Sequence, residues 1–274
     1  MSDWFRVCPI EERLYQITDV AGTHFFLLLG EREAMLLDTG VGCGDLRKLV
    51  RELTPLPVKV LVTHGHVDHA MGAAEFDTVY MNHEDDTIYV QHSDEKFRED
   101  GLFLCPQKDQ IEEGEIIPAL PLDAIHDMKE GDSFDLGGVH IDVYACPGHT
   151  RGILVMLIRE ERTILLGDAC NDRTFLFDEF AASVPDYRAA LMTLDAQTAG
   201  QYDRVLLSHE DGEGVPDMLR RVIEVCDDML AGRSDAQPFE FLGDCALLAR
   251  ACGPDGARLD GGRGNVVYRL PLQI

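Results

Sequence analysis

A layered α/β fold is predicted by two features of this 274-residue sequence. Strand-like and helix-like periodicities alternate along the chain: the aliphatic runs 34–37 and 58–63 flank a segment in which Leu46, Leu49, Val50 and Leu53 share one helical face. Such alternation builds a sheet with helices packed on it, not a helical bundle. The second feature is that strand after strand runs into a polar or Gly-rich loop, at 38–40, 63–69, 146–150, 167–170 and 208–212.

In chain order, Leu14–Thr18 and His24–Leu29 read as strands separated by a turn at Ala21 and Gly22. A turn at 31–33 leads to strand Ala34–Leu37 and then to a loop holding Gly40, Gly42 and Gly44. The helix that follows is stopped by Pro55 and Pro57. Residues 78–81 form the next strand, and the acidic segment 82–100 reads as helix. Leu102, Phe103 and Leu104 precede a polar, turn-rich stretch, so the region around 82–130 reads as an insertion that covers a cleft or meets another subunit, with a purely structural insertion as the competing reading.

Residues 131–138 have hairpin chemistry, and 139–145 alternate apolar with polar residues as a half-buried strand does. Apolar strands follow at 153–158 and 163–166. Ser183, Pro185 and Asp186 mark a helix start with a capping box, and Tyr187, Ala190, Leu191 and Leu194 give that helix its buried stripe. Residues 204–207 are a strand. Leu219, Val222, Ile223, Cys226 and Leu230 define another helix. A polar break at 232–238 leads to a final helix or mixed segment at 239–252, a loop at 253–264 and a terminal strand near 265–270. No internal repeat or linker divides the chain, so a single domain over 1–274 is expected.

Lys and Arg total 24 against 50 Asp and Glu, a formal net charge of -26. That excess opposes binding to nucleic acid or to anionic membranes and leaves a small-molecule substrate as the expected partner, with a homo-oligomer allowed. The first residues show no secretory pattern, and no apolar run reaches membrane-spanning length. The eight cysteines are dispersed with no C-x-x-C pair, which suits reduced thiols and a cytoplasmic location.

The chemistry concentrates at 60–72, V-L-V-T-H-G-H-V-D-H-A-M-G. His64, His66, Asp68 and His69 fall within six residues directly after a strand. Imidazole and carboxylate suit zinc, manganese or iron, and a His-rich surface turn is the competing reading. Three later strand ends supply His149, Asp168 and His209. Taken singly, His149 reads equally as structural, Asp168 as a helix cap and His209 as a solvent-facing residue. Their repeated placement on rigid strand ends favours one shared site. Asp38 either orients a ligand or satisfies its own turn. Tyr89 and Tyr187 either touch substrate or pack, and Cys146 and Cys170 pack beside the ligands or pair. His83, His92, His126 and His140 are not needed as ligands.

The motifs T-H-G-H-V-D-H at 63–69, P-G-H-T at 147–150, L-G-D at 166–168 and S-H at 208–209, with L-L-D-T-G at 36–40, resemble the metallo-β-lactamase fold superfamily over nearly the whole chain. The resemblance implies an α/β (αββα) sandwich of two mixed β-sheets flanked by helices. It also implies two divalent metal ions, one held by His64, His66 and His149 and the other by Asp68, His69 and His209, with Asp168 bridging them. Zinc is the expected metal, with iron and manganese as alternatives. Asp68 and Asp168 are the expected catalytic carboxylates of a dinuclear hydrolase that uses a bridging hydroxide.

Within that superfamily the Asp and His pattern is closer to the glyoxalase II and lactonase branches than to exported antibiotic-hydrolysing enzymes. The expected substrate is a small ester, thioester or lactone. The C-terminal helical domain of a typical glyoxalase II is not visible in the sequence, which weakens glutathione-thioester specificity. A small-molecule phosphodiesterase is the nearest competitor. A mononuclear iron persulfide dioxygenase would leave part of the ligand set unused. Flavodiiron oxidoreduction is disfavoured by His66 and by the lack of a flavodoxin-like domain. The noncatalytic alternative is a metabolite-binding metallo-fold protein.

Overall fold

A computed structural model of the chain describes residues 4–101 and 116–270. The readings made for Leu102, Phe103, Leu104 and Cys105 lie outside the described residues. The chain divides into two compact units, Met1–Asp142 with Ser208–Glu210, and Val143–Leu207 with Asp211–Ile274.

The first unit is built on a seven-stranded sheet whose spatial order follows the sequence: β1 (Arg6–Glu11), β2 (Leu14–Thr18), β3 (His24–Leu29), β4 (Ala34–Leu37), β5 (Val58–Leu61), β6 (Val79–Met81) and β7 (His126–Asp127). β1 to β4 pair antiparallel, and β4 to β7 pair parallel, so the sheet is mixed. The switch falls where helix α1 (Leu46–Leu53) makes the crossover from β4 to β5, which a parallel pair requires. Asp45 caps α1 by accepting from the Lys48 amide at 2.9 Å. Leu46 and Val50 then bury the helix's apolar face against Leu36, Val60 and Val62. The ligand-rich loop runs into the single turn α2 (Val67–Ala70), and the short helices α3 (Asp86–His92) and α4 (Glu95–Gly101) stand in place of the one helix expected over 82–100. β8 (Ser133–Asp135) pairs antiparallel with β9 (His140–Ala145), as the hairpin chemistry of that segment requires.

β9 carries the chain into the second unit, whose first sheet has the order β14 (Glu213–Gly214), β13 (Arg204–Leu206), β11 (Thr163–Leu165), β10 (Leu154–Ile158), β9. This sheet is also mixed, because β11 and β13 run parallel while β10–β11 and β13–β14 are antiparallel. Helices α5 (Val184–Thr198) and α6 (Met218–Leu230) cover it. Tyr187, Leu191 and Leu194 from α5, and Leu219, Val222 and Cys226 from α6, share one core with Val155, Leu157 and Ile164. Ser183 caps α5 through the Asp186 amide, but the box is not reciprocal in its usual form. Asp186 Oδ2 accepts from the Ser183 hydroxyl at 2.6 Å.

A four-stranded sheet completes this unit, with the order β12 (Thr174–Leu176), β17 (Val266–Tyr268), β16 (Asp244–Leu248), β15 (Gln237–Phe241). The segment expected to be a final helix or mixed segment is therefore an antiparallel hairpin. Its two-residue turn, Leu242 and Gly243, has φ of 57° and 83°, so both residues lie in the left-handed region that a type I′ turn needs. Leucine at the first of these positions hides the turn from a composition reading. β1 was also unread, because Pro9 argues against a strand. It survives at the sheet edge beside a register irregularity between Pro9 and Glu11.

Candidate metal centre

β5 ends just before the ligand-rich loop, and His66 forms the N-cap of α2 in extended backbone. The single helical turn that follows sets Asp68 and His69 beside one another. Asp68, His69 and His209 offer ligand atoms that lie within 4.8 Å of one another. Asp68 Oδ2 is 3.4 Å from His209 Nε2 and 3.5 Å from His69 Nε2. Alongside, His64 Nε2 and His66 Nδ1 are 2.9 Å apart, and the His64 and His69 ring centroids are separated by 4.1 Å. His64 and His69 are fully buried.

The hydrogen bonds decide which nitrogen of each ring carries the proton. Asp38 is buried and only accepts when ionised, so His69 Nδ1, at 2.9 Å from its Oδ2, is the donor. The Thr63 hydroxyl gives its one proton to the same Asp38 oxygen at 2.8 Å. Its oxygen must then accept from His64 Nδ1 at 2.9 Å. One carboxylate therefore fixes two imidazoles in the Nδ1–H form and makes Nε2 the acceptor nitrogen of each, the form in which imidazole binds a cation. Asp38 itself holds φ of 67°, a left-handed conformation that aspartate tolerates better than most residues. Of the two readings of Asp38, ligand orientation is the one its contacts carry.

His209 is held by an element far away in sequence. The His24 amide donates to the Ser208 carbonyl at 2.7 Å, and His24 Nε2 donates to the Glu210 carbonyl at 3.0 Å. His24 Nδ1 then accepts, facing Thr18 Oγ1 at 2.9 Å and Gln16 Nε2 at 3.1 Å. The His66 side of the loop is held by Asp85 and His92. Asp85 accepts from the Gly65 amide at 3.0 Å, and His92 Nδ1 accepts from the Val67 amide at 3.1 Å while its ring stacks on His66. A side chain at position 65 would sit 2.9 Å from Ile88 Cγ2 and 3.0 Å from the Asp85 carbonyl, so the spacer between the two histidines has room only for glycine. His24 and Asp85 escaped the sequence reading, and His92 entered it only as a histidine not needed as a ligand, because nothing in the local pattern reports a partner 20 to 186 residues away.

In the second unit, His149 Nδ1 donates to the Phe175 carbonyl at 3.0 Å, which again leaves Nε2 as the acceptor. That nitrogen lies 3.8 Å from Asp168 Oδ2, and both residues are buried. Asn171 Nδ2 holds the other Asp168 oxygen at 3.3 Å. Buried Tyr187 donates to the Ala169 carbonyl at 2.8 Å, and Tyr89 donates to the Leu120 carbonyl at 2.7 Å. Both tyrosines therefore pack. Cys146 and Cys170 are free and buried. Burial pushes the Cys146 thiol up to about 12 and raises that of Cys170, so neither is a reactive thiolate.

The donor set fits divalent transition metals: imidazole nitrogens, those of His64, His69 and His149 with their tautomers fixed, and carboxylate oxygens, with Asp68 and His209 still open to solvent. The model of the family described as "Metallo-beta-lactamase superfamily" matches residues 18–209. The chain belongs to that superfamily. An uncharacterized protein of Mycobacterium leprae is 32% identical over 197 residues, covering 67% of this chain and 82% of that protein. Acyl-coenzyme A thioesterase MBLAC2 of Homo sapiens is 22% identical over 232 residues, covering 77% of this chain and 80% of that protein. Among solved structures, a metallo-beta-lactamase from Pontibacter korlensis aligns with a TM-score of 0.60 at 18% identity, covering 82% of this chain and 99% of that one. Metallo-beta-lactamase IND-7 aligns with a TM-score of 0.59 at 17% identity, over 83% of this chain and all of that one. These likenesses show the αββα sandwich with mixed sheets and flanking helices. The superfamily fold and the candidate metal-binding clusters are those of a metal-dependent hydrolase. Among the described residues, no helix is long and apolar enough to cross a membrane.

Proposed function

We propose that the chain is a dinuclear metal-dependent hydrolase acting on a small ester, thioester or lactone, with thioesters favoured. The observation that carries the reading is the Asp38 carboxylate, which prepares His64 and His69 as Nε2 ligands. The resemblance in motifs supports the full ligand assignment: His64, His66 and His149 for one ion, Asp68, His69 and His209 for the other, Asp168 between them. Zinc suits this donor set, with iron and manganese as alternatives. Two such ions supply Lewis acidity and lower the pKa of a coordinated water towards neutrality. Asp68 turns Oδ2 towards His69 and His209 as its metal-facing oxygen, and in this reading its carboxylate would also relay the proton released on attack to the leaving group. Asn171 holds Asp168 Oδ1, and Oδ2 faces His149 Nε2, which supports Asp168 as a ligand. The likeness to acyl-coenzyme A thioesterase MBLAC2 supports a thioester over a phosphodiester. The free thiols of Cys8, Cys146, Cys170, Cys226 and Cys245 support a reducing, cytoplasmic setting.

A metal-quantified panel of thioesters, lactones and phosphodiesters tests the reading. Two equivalents of metal and thioester or lactone turnover that disappears in Asp168→Ala are expected. Activity confined to phosphodiesters would replace the substrate class, and a folded protein without affinity for divalent metal would end the hydrolase reading.

A further inference from the structure

The four-stranded sheet of the second unit has two unlike faces. Val266 and Tyr268 of β17 enter the main core of that unit, while Val267 joins Ala246, Leu248 and Cys252 in a separate apolar cluster. Phe175, Phe177 and Phe239 pack on this second cluster, and no helix residue belongs to it among the described residues. Phe241 adds a fourth ring, its centroid 4.7 Å from that of Phe175. All four phenylalanines are half-buried. The alternation along β15 is the cause: Phe239 and Phe241 share one face, and Pro238 and Glu240 are exposed on the other. A fully covered aromatic side chain buries on the order of 150–250 Å², and each of these half-buried rings keeps part of that surface in water.

This aromatic face is joined to the candidate metal centre through one hydrogen bond. The Phe175 carbonyl is the group that accepts from His149 Nδ1, so the first ring of the face belongs to the residue that orients a proposed ligand. The surroundings restrict what could occupy the face. Asp178, Glu240 and Asp244 stand beside it in sequence, with Asp244 paired to Arg269 at 2.7 Å. The Arg269 guanidinium lies over Phe177, 4.6 Å from the ring centroid. That cation is engaged by a ring and a carboxylate, and the remaining carboxylates repel an anion. A chain with a net charge of -26 also repels an anionic bilayer. An uncharged aliphatic chain suits the rings and is indifferent to the carboxylates.

We propose that Phe175, Phe177, Phe239 and Phe241 form an acyl-chain subsite, which makes the preferred substrates esters or thioesters of medium-length straight-chain acids. The proposal rests on the hydrolase reading above and narrows its substrate class. Transfer of one methylene from water to an apolar site changes an equilibrium by up to about fourfold. A subsite for the acyl chain therefore makes kcat/KM climb with chain length until the face is filled.

The test uses uncharged N-acetylcysteamine thioesters of two-, four-, six- and eight-carbon acids, and the octyl thioether of N-acetylcysteamine as a nonhydrolysable probe. In the full-length metal-loaded protein, log kcat/KM is expected to rise along the series, by up to about fourfold per methylene. In Phe177→Ser/Phe241→Ser that slope should fall by at least half, and calorimetric binding of the octyl thioether should weaken at least tenfold. Phe241→Leu keeps the apolar face, guards against a folding artefact, and should keep most of the slope. Turnover with no dependence on chain length, or a slope that survives in the double variant, would overturn the subsite and leave the hydrolase reading standing. Octyl thioether binding that the double variant loses, without turnover of any thioester, would support the subsite and overturn the thioester substrate class. Absence of both binding and turnover would overturn both.

Discussion

Asp38 Oδ2 and His69 Nδ1 lie 2.9 Å apart with both side chains excluded from solvent, and the same oxygen takes the Thr63 proton. A single carboxylate thus sets two imidazoles, one directly and one through a hydroxyl. Asp38→Ala removes the acceptor and frees both rings to rotate or change tautomer. Loss of such an orienting carboxylate lowers metal affinity by about 10- to 100-fold. Chelator competition on the purified variant measures this without relying on turnover. Thr63→Val interrupts only the branch to His64 and is expected to cost less than Asp38→Ala. An Asp38→Ala protein with wild-type affinity would show that the rings hold their orientation unaided.

His24 offers a second handle on the same centre, through backbone rather than through a ligand side chain. Its amide and Nε2 hold the carbonyls on either side of His209. In His24→Ala the amide bond persists and the ring bond is lost. Metal affinity is therefore expected to fall by less than in Asp38→Ala, with the global fold retained by circular dichroism. His24→Gln keeps a donor at similar reach and should restore part of the affinity. Equal affinities in all three proteins would show that the 208–210 segment needs no ring bond from His24 beyond the backbone bond of its amide.

The ligand residues were legible in the sequence because uncommon residue types recur at strand ends, and type and position both survive without knowledge of the fold. The strands β2, β3 and β4 and helix α1 were legible for a related reason: their hydrophobic periods are local and are bounded by turn residues or prolines. The residues that hold the ligands were not legible. His24 and Glu210 are adjacent only after the chain has folded, and a histidine opening a strand carries no sign of it. Asp38 was recognised as ambiguous, since one aspartate after a strand satisfies a turn or orients a ligand equally well by pattern. The β15–β16 hairpin failed at Leu242, where tertiary context holds leucine in a conformation usually taken by Asn or Gly.

Gly148 precedes a proposed ligand and lies against a buried ring. A Cβ at this position would stand 2.2 Å from Tyr187 Cδ2 and 2.6 Å from Cε2. Tyr187 has little freedom to retreat, because it is fully buried and its hydroxyl is bound to the Ala169 carbonyl. Gly148→Ala is expected to cost about 1–3 kcal/mol of stability through overpacking, measured by urea denaturation. Tyr187→Leu alone is also destabilising, but it relieves the clash. The double variant should therefore be more stable than the sum of the two single losses predicts, and strict additivity would place the strain elsewhere.

Asp19 carries the pH dependence that the fold makes most definite. Burial is the main cause that lifts its carboxyl from 3.8 to about 6, and the charge of Asp68 adds to it, while the amides of Val41, Thr23 and Ala21 oppose the rise. A carboxyl whose folded pKa lies above its unfolded one binds its proton more tightly in the folded state. Its contribution to stability is therefore least favourable above about pH 6 and improves as the pH falls from there towards 3.8. In Asp19→Asn this contribution is absent. The stability advantage of the wild type over Asp19→Asn should then be larger at pH 4.5 than at pH 7.5, by about 2 kcal/mol. Denaturant midpoints of both proteins, measured metal-free at the two pH values, give the difference. An advantage that is constant, or that shrinks at pH 4.5, would show that Asp19 ionises as readily in the folded chain as in the unfolded one.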